Sequence, residues 1–282
     1  MSLPDVYEVM RRIDRCKSEP NKMYMRAEFE FCARGIEVAG HLTSTDKCRH
    51  TEPYGPTGRD VFVTKIDQPA IPANRMLTLF LKAMKDKNAI DNIIDELSQK
   101  IKVAVFKVRI AKQHLDEGES YPYRLVALPL DSKFDPWSQS LLDYYRDAGD
   151  HVVFDLNRQD NWEYITRKDK IFDGLTYRIK KYHYFPNGQV SEDAKACLSH
   201  PRLFKCHGIR HVRTDQLIKY LGFDGFDLAA FVGWSMGSSS KVSAAPAQAS
   251  NYAEIREAWP RYIHKLCVPL NHQSTNGENK NE

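Results

Sequence analysis

Apolar positions recur at helical spacing along the first forty residues. VYEVMRRID (6–14) forms one amphipathic helix, Ser18-Glu19-Pro20 breaks it, and MYMRAEFEFCARGIEVAG (23–40) continues in helix formers to a closing glycine. Residues 41–74 are rich in Thr, Pro, Gly and charge, and DVFVTKI (60–66) is the one β-branched run among them. From Arg75 to Lys100 the helical pattern returns, in two pieces around Lys87-Asn88. The period then drops to two. KVAVFKVRIA (102–111) and YRLVALPL (123–130) alternate apolar with polar or basic residues across the turn-like QHLDEGESYP, which predicts an antiparallel hairpin with a long loop. DPWSQSLLDYYRDAG (135–149) is a helix closed by Gly149, followed by HVVFDL as a short strand or extended segment. Residues 157–200 contain charged helical stretches around Pro186-Asn187-Gly188, in no order the pattern fixes. CHGIRHVRTDQLIKYLGF (206–223), DLAAFVGW (227–234) and NYAEIREAWPRYIHKL (251–266) read as three helices, with a Ser/Ala/Gly-rich link before the third. The pattern predicts an α+β chain, mostly helical, with a small antiparallel sheet.

Composition narrows the class. The chain has 282 residues, 42% of them hydrophobic and 28% charged, with 14 Gly and 14 Pro. That is the balance of a globular protein with a sizeable core. No window reaches the roughly 20 apolar residues of a membrane span, and the start carries acids and lacks a signal peptide's apolar core. A cytoplasmic protein without a membrane partner is expected. Net charge is +4, which permits a polyanionic partner without demanding one. The six cysteines include no CxxC pair, so reduced thiols are expected rather than a disulfide framework.

The candidate chemistry begins at HGIRH, residues 207–211. Three residues apart on a helix, His207 and Arg210 can address one target, and a guanidinium beside an imidazole suits an oxyanion such as phosphate. Alone, HxxR is a weak signal. It is followed by Gly233-Trp234, 24 residues beyond Arg210, and by Tyr252 opening the last predicted helix. HGIRH, VGWSM and NYAEIREAWPRYIHKL in this order resemble the catalytic half of the tyrosine recombinases, the integrase family, most closely its archaeal type. FCARGIEVAGHL is similar to that family's first arginine helix, in which Arg is followed three residues later by an acid.

The resemblance implies a catalytic set of Arg34, Lys112, His207, Arg210, Trp234 and Tyr252, with Glu37 and His211 behind it. Lys112 ends the first strand of the predicted hairpin, and Lys107 is the reserve. Lys205, Arg213 and Lys241 would contact the DNA backbone. Such an enzyme breaks and rejoins DNA through a 3′-phosphotyrosine intermediate, integrating or excising a mobile element without metal or cofactor. Its partners would be double-stranded DNA at attachment sites and three further copies of itself in a tetramer, at the nucleoid. The implied catalytic domain covers residues 1–270, with an insertion or elaboration at about 45–98 and a polar tail at 271–282. It resembles a catalytic domain without the DNA-clamping domain that usually precedes it.

Departures from the family pattern are an interval of 78 residues from Arg34 to Lys112 and one of 18 from Trp234 to Tyr252. Alternative readings are a catalytically silent DNA-binding module of the same fold and a type IB topoisomerase-like relaxing enzyme. Tyr262 is a rival nucleophile. A zinc site from Cys197, His200, Cys206 and His207 is a rival chemistry, although Leu203-Phe204 resemble a helix entry and no second Cys pair completes a four-ligand set.

Overall fold

A computed structural model describes residues 3–39, 56–66, 100–110, 123–154, 169–177, 180–181, 197–198, 202–233 and 258–268. The predicted helix over 75–100 lies outside them except for Lys100. The chain divides into two compact units, Met1–Gly55 with Phe154–Gln216, and Pro56–Val153 with Leu217–Glu282. Helices and antiparallel strands are both present, as expected of an α+β chain. Among the described residues, no helix is long and apolar enough to cross a membrane.

The first unit opens with α1 (Val6–Asp14). The Asp5 carboxylate caps it by accepting the Glu8 N–H at 3.0 Å, and Val6, Val9 and Ile13 form its buried stripe. Arg12 reaches from α1 to the carbonyls of Ile171 (3.2 Å) and Asp173 (2.6 Å). Next, α2 (Glu19–Glu30) takes Pro20 into its first turn, where a missing N–H costs nothing. The proline that breaks the pattern therefore starts the next helix.

At its other end α2 stops sooner than the run of helix formers suggests. The N–H of Ala33 bonds to the Glu28 carbonyl and that of Cys32 to the Phe29 carbonyl, at 3.0 and 2.9 Å. Cys32 itself sits at φ +48. This is a Schellman ending with cysteine in the place glycine usually takes. A separate short helix, α3 (Gly35–Val38), follows.

No helix occurs among the described residues of 157–200. Four short strands occur instead: β4 (Thr176–Tyr177), β5 (Lys180–Lys181), β6 (Cys197–Leu198) and, just beyond, β7 (Arg202–Leu203). β4 pairs with β7 and β5 with β6, both antiparallel. The helical reading of that stretch is corrected to this extent, because charged residues hid a β-ribbon with no apolar alternation. The ribbon leads into α5 (Cys206–Lys219), the HGIRH helix.

In the second unit, β1 (Val61–Ile66), β2 (Ile101–Arg109) and β3 (Tyr123–Pro129) form an antiparallel sheet in that order. Phe106 faces Val61 on one side and Val126 on the other. β2 and β3 are the predicted hairpin. Val103 to Phe106 are all buried, as befits a central strand covered on both faces.

Helix α4 (Ser138–Ala148) begins where the Asp135 carboxylate accepts the N–H groups of Trp137 and Ser138, at 2.8 and 2.9 Å. It packs Tyr145 edge-on against Phe106, with ring centroids 5.0 Å apart. After it, the predicted strand HVVFDL reduces in its described part to one bridge between Val152 and Thr57.

α6 (Gly225–Val232) is boxed at its start by Asp224 and Asp227. It ends at Gly233, φ +73, where a Cβ would lie 3.0 Å from the Arg124 side chain. Both the backbone angle and the space demand glycine. α7 (Trp259–Leu266) starts at Trp259 with Pro260 in its first turn. Of the helix expected over 251–266, residues 251–257 lie outside the described residues, and the described part is a helix that starts after Ala258, because the proline ring cannot sit in a helix interior.

Candidate functional site

The first unit brings Arg34, Glu37 and Arg210 together, and the means is a polar seam between α2–α3 and one face of α5. Arg210, Arg213 and Thr214 share that face at i, i+3 and i+4. Each meets a residue of the amino-terminal segment. The Cys32 thiol lies 3.2 Å from the Thr214 hydroxyl and 3.5 Å from the Arg210 carbonyl. Arg213 donates to Glu30 at 2.8 Å and to Gln216 at 2.7 Å, and its guanidinium stacks over Phe29 at 4.8 Å. Arg210 donates to Glu37 at 3.4 Å.

Glu37 is the centre. One carboxylate oxygen accepts from the Arg34 guanidinium at 3.0 Å. The other accepts the Arg34 backbone N–H at 2.9 Å, as the third residue of α3 reaching back over its N-cap, and also faces Arg210. The carboxylate is wholly buried, Arg210 is 5% exposed and Arg34 is 29% exposed. Two guanidiniums, one three residues before Glu37 and one 173 residues beyond it, are thus held on one carboxylate. The cluster reaches solvent through Arg34, and a second buried carboxylate, that of Glu28, lies beside Gly35. Such an arrangement suits binding of an oxyanion, whose charge guanidinium donors can meet in a fixed orientation.

His207 is exposed, one turn before Arg210 on α5. Its ring lies edge-on to that of His211, centroids 5.0 Å apart. His211 is half-buried. Burial, and next the charge of Arg210, push its pKa below the ordinary 6.5. The folded state therefore binds this proton less readily than the unfolded chain, and the stability His211 contributes is present above pH 6.5 and lost as pH falls through the window below it. Denaturation midpoints are expected to fall with acid in that window. His211→Gln should flatten this part of the profile, and an imidazole resonance titrating at or above 6.5 in the native protein would contradict the assignment.

Gly208, between the two histidines, has a packing reason. A Cβ there would come within 2.6 Å of the Phe204 ring. Phe204 is buried and stacks edge-on with Phe172 at 5.1 Å. The glycine of HGIRH lets the aromatic anchor of the ribbon lie against the first turn of α5.

Arg213 does not serve as a DNA contact. It is 6% exposed and committed to Glu30, Gln216 and Phe29 inside the first unit, so the phosphate-contact expectation is corrected to a structural ion pair. Lys205 is exposed immediately before α5. Lys112, Trp234, Lys241 and Tyr252 lie outside the described residues. In the second unit, the reserve lysine Lys107 is exposed on β2, its ammonium 4.4 Å from the Tyr123 ring centre.

Cys206, of the rival zinc set, is buried, and burial holds its thiol well above the ordinary range. The metal-binding thiolate is disfavoured there. Among the described residues, no three His, Cys, Asp or Glu side chains gather as a metal site; His200 lies outside them.

Tyr262 is fixed elsewhere. Its hydroxyl, fully buried in the second unit, donates to the Leu125 carbonyl at 2.9 Å and accepts the Ala127 N–H at 3.3 Å. Leu125 and Ala127 project these groups from the edge of β3 that, among the described residues, has no strand partner. The phenol therefore closes a sheet edge, and burial raises its pKa far above the ordinary value of 10. A hydroxyl so occupied is a poor nucleophile.

Sequence reasoning missed Glu30, Cys32 and Arg124. Glu30 had a signal, since it and Glu28 are acids set between apolar residues of one run, while Cys32 had none. Arg124 sits fully buried on β3 and donates to the Phe231 carbonyl at 2.7 Å, closing the end of α6 just before Gly233-Trp234. No protein-family model, curated protein or solved structure matches the chain.

Proposed function

We propose that this protein is a DNA strand transferase of the tyrosine recombinase kind, cutting and rejoining duplex DNA at attachment sites to integrate or excise a mobile element. The observation that carries the reading is the Glu37-bridged pair Arg34 and Arg210, with His207 one turn away on the same helix. Two guanidiniums fixed before substrate arrives are what a scissile phosphodiester needs, since charge builds on its non-bridging oxygens in the pentacoordinate transition state. Glu37 holds both without reorganisation.

In this reading the Tyr252 oxygen attacks phosphorus, forming the O–P bond of a 3′-phosphotyrosine as the P–O5′ bond breaks. Its proton passes to His207, and Lys112 protonates the departing 5′ oxygen. The reverse steps with a second 5′ hydroxyl rejoin the strand, and the phosphotyrosine conserves the bond energy, so no cofactor is consumed. Four copies on two duplexes would complete an exchange.

A nicked suicide duplex carrying candidate attachment sequence, incubated in EDTA, tests the proposal. A covalent adduct on a denaturing gel is expected from the native protein and from Tyr262→Phe, and none from Tyr252→Phe. Tyr262→Phe should cost about 1–3 kcal/mol of stability through the unsatisfied edge of β3. Adduct abolished only in Tyr262→Phe would overturn the choice of nucleophile. No adduct on a duplex that the protein demonstrably binds would replace the enzyme by a silent DNA-binding module.

A further inference from the structure

We infer that His207 and His211 form a two-imidazole site for a divalent transition-metal ion such as Zn²⁺, and that metal held there silences the proposed catalytic centre. The inference rests on the proposal that His207 takes the proton of the nucleophile, and adds to it a means of regulation. Both residues lie on α5 in the first unit, four apart and so on one face. Two histidines at this spacing on a helix are a recurring chelating pair for zinc.

Geometry carries the site. The two ring centres are 5.0 Å apart, with the ring planes crossed at 83°. Zinc bonds an imidazole nitrogen at about 2.0–2.1 Å, so two rings on one tetrahedral ion have their centres about 5 Å apart. The observed spacing is that of a chelate. Ring stacking alone spans the same distance, and the two are told apart by counting nitrogen ligands.

Each imidazole has two nitrogens, so a ring can hold a metal through one and still donate a hydrogen bond through the other. His207 is exposed and His211 half-buried, which leaves the remaining coordination positions to water. Among the described residues, no third His, Cys, Asp or Glu joins the pair. Structural zinc sites close with four ligands; a two-ligand site holds its ion exchangeably, as a regulator must be held.

Charge sets which ions bind. Arg210, between the two histidines in sequence, opposes a cation, but its guanidinium lies 3.4 Å from the Glu37 carboxylate, which offsets it. Mg²⁺ keeps to oxygen ligands, whereas Zn²⁺ and, more tightly, Cu²⁺ favour imidazole. Neutral imidazole has one lone-pair nitrogen. Once that nitrogen bonds a metal, the ring cannot accept the Tyr252 proton.

Calorimetric titration of the full chain with Zn²⁺ near neutral pH tests the site. His207→Gln and His211→Gln should each weaken binding at least about tenfold, since even an outer-shell partner of a metal ligand is worth 10–100-fold. His151→Gln, which removes an exposed histidine of the second unit, should leave binding unchanged, and Mg²⁺ should not bind at the pair. With Cu²⁺, paramagnetic resonance should show splitting from two nitrogens in the native protein and from one in either variant. The exposed His207 keeps the test readable should His211→Gln fail to fold. Binding and nitrogen count unaltered by both substitutions would overturn the site and return the pair to ring stacking.

Adduct formation should fall by about 10²-fold or more at saturating Zn²⁺, the lower end of what a general base contributes, and return on adding EDTA. An adduct formed at the native rate with Zn²⁺ bound to the pair would overturn the regulation. Failure of the two proposals is distinguishable. An intact Tyr252 adduct without pair-dependent binding removes the metal site and leaves the recombinase, whereas pair-dependent binding in a chain that forms no adduct removes the recombinase and leaves the metal site.

Discussion

Glu37→Ala is expected to destabilise the protein by about 3–5 kcal/mol, the usual cost of removing one partner from a buried ion pair. Glu37 is wholly buried and touches both Arg34 and Arg210, so its loss takes the counter-charge from a guanidinium that is 5% exposed. It also removes the acceptor for the Arg34 backbone N–H at the start of α3. Urea unfolding would show this as a lower midpoint at unchanged slope. Glu37→Gln should lose less, since an amide keeps an acceptor for one arginine while its NH2 opposes the other. If the cluster positions a phosphate, even the folded Glu37→Gln protein should form adduct more slowly than native at saturating DNA. A stability loss below about 1 kcal/mol for Glu37→Ala would mean that other interactions hold the two arginines.

Arg213→Ala is expected to cost a similar amount, about 3 kcal/mol or more, for a different reason. It strands Glu30, whose side chain is 1% exposed, and removes the cation stacked on Phe29. Glu30→Ala should be comparably harmful. The double alanine variant should fall short of the sum of the two by about 0.5–3 kcal/mol, the range for residues that touch directly. Replacing both by apolar residues of similar size, Glu30→Leu with Arg213→Met, should recover most of the loss, because two desolvated charges are exchanged for packing. Additive single losses would show that the pair is not coupled. DNA affinity measured on folded Arg213 variants is expected to keep the native salt slope, since this side chain reaches no solvent-facing phosphate; a slope shallower by about one would return it to the DNA surface.

Both predictions concern one seam, where Glu30 meets Arg213, Cys32 meets Thr214 and Glu37 meets Arg210. Only part of it was legible. The spacing of Arg34 and Glu37 is local, and their pairing follows once a helix starts between them. That Glu37 also receives Arg210 depends on a partner 173 residues away, which no period or cap encodes. Arg213 shows the same limit from the other side: in sequence it is one more basic residue on a charged helix, and only its placement opposite Glu30 makes it structural.

What the sequence determined by itself was local backbone preference. Alternation over two residues defined β2 and β3, Asp224 and Asp227 boxed the start of α6, and Gly149 and Gly233 marked the ends of α4 and α6. These signals act within a few residues, where propensity and capping decide. The tertiary structure decided where α2 stops. Helix formers continue through Phe31 to Glu37, yet Cys32 turns to positive φ and its thiol engages Arg210 and Thr214, 178 and 182 residues along the chain. It likewise decided that Tyr262 closes the edge of β3 and that Gly208 makes room for Phe204. Each is settled by which distant surfaces meet, because a buried polar group takes whatever partner the packing supplies and its own neighbours in sequence do not specify that partner.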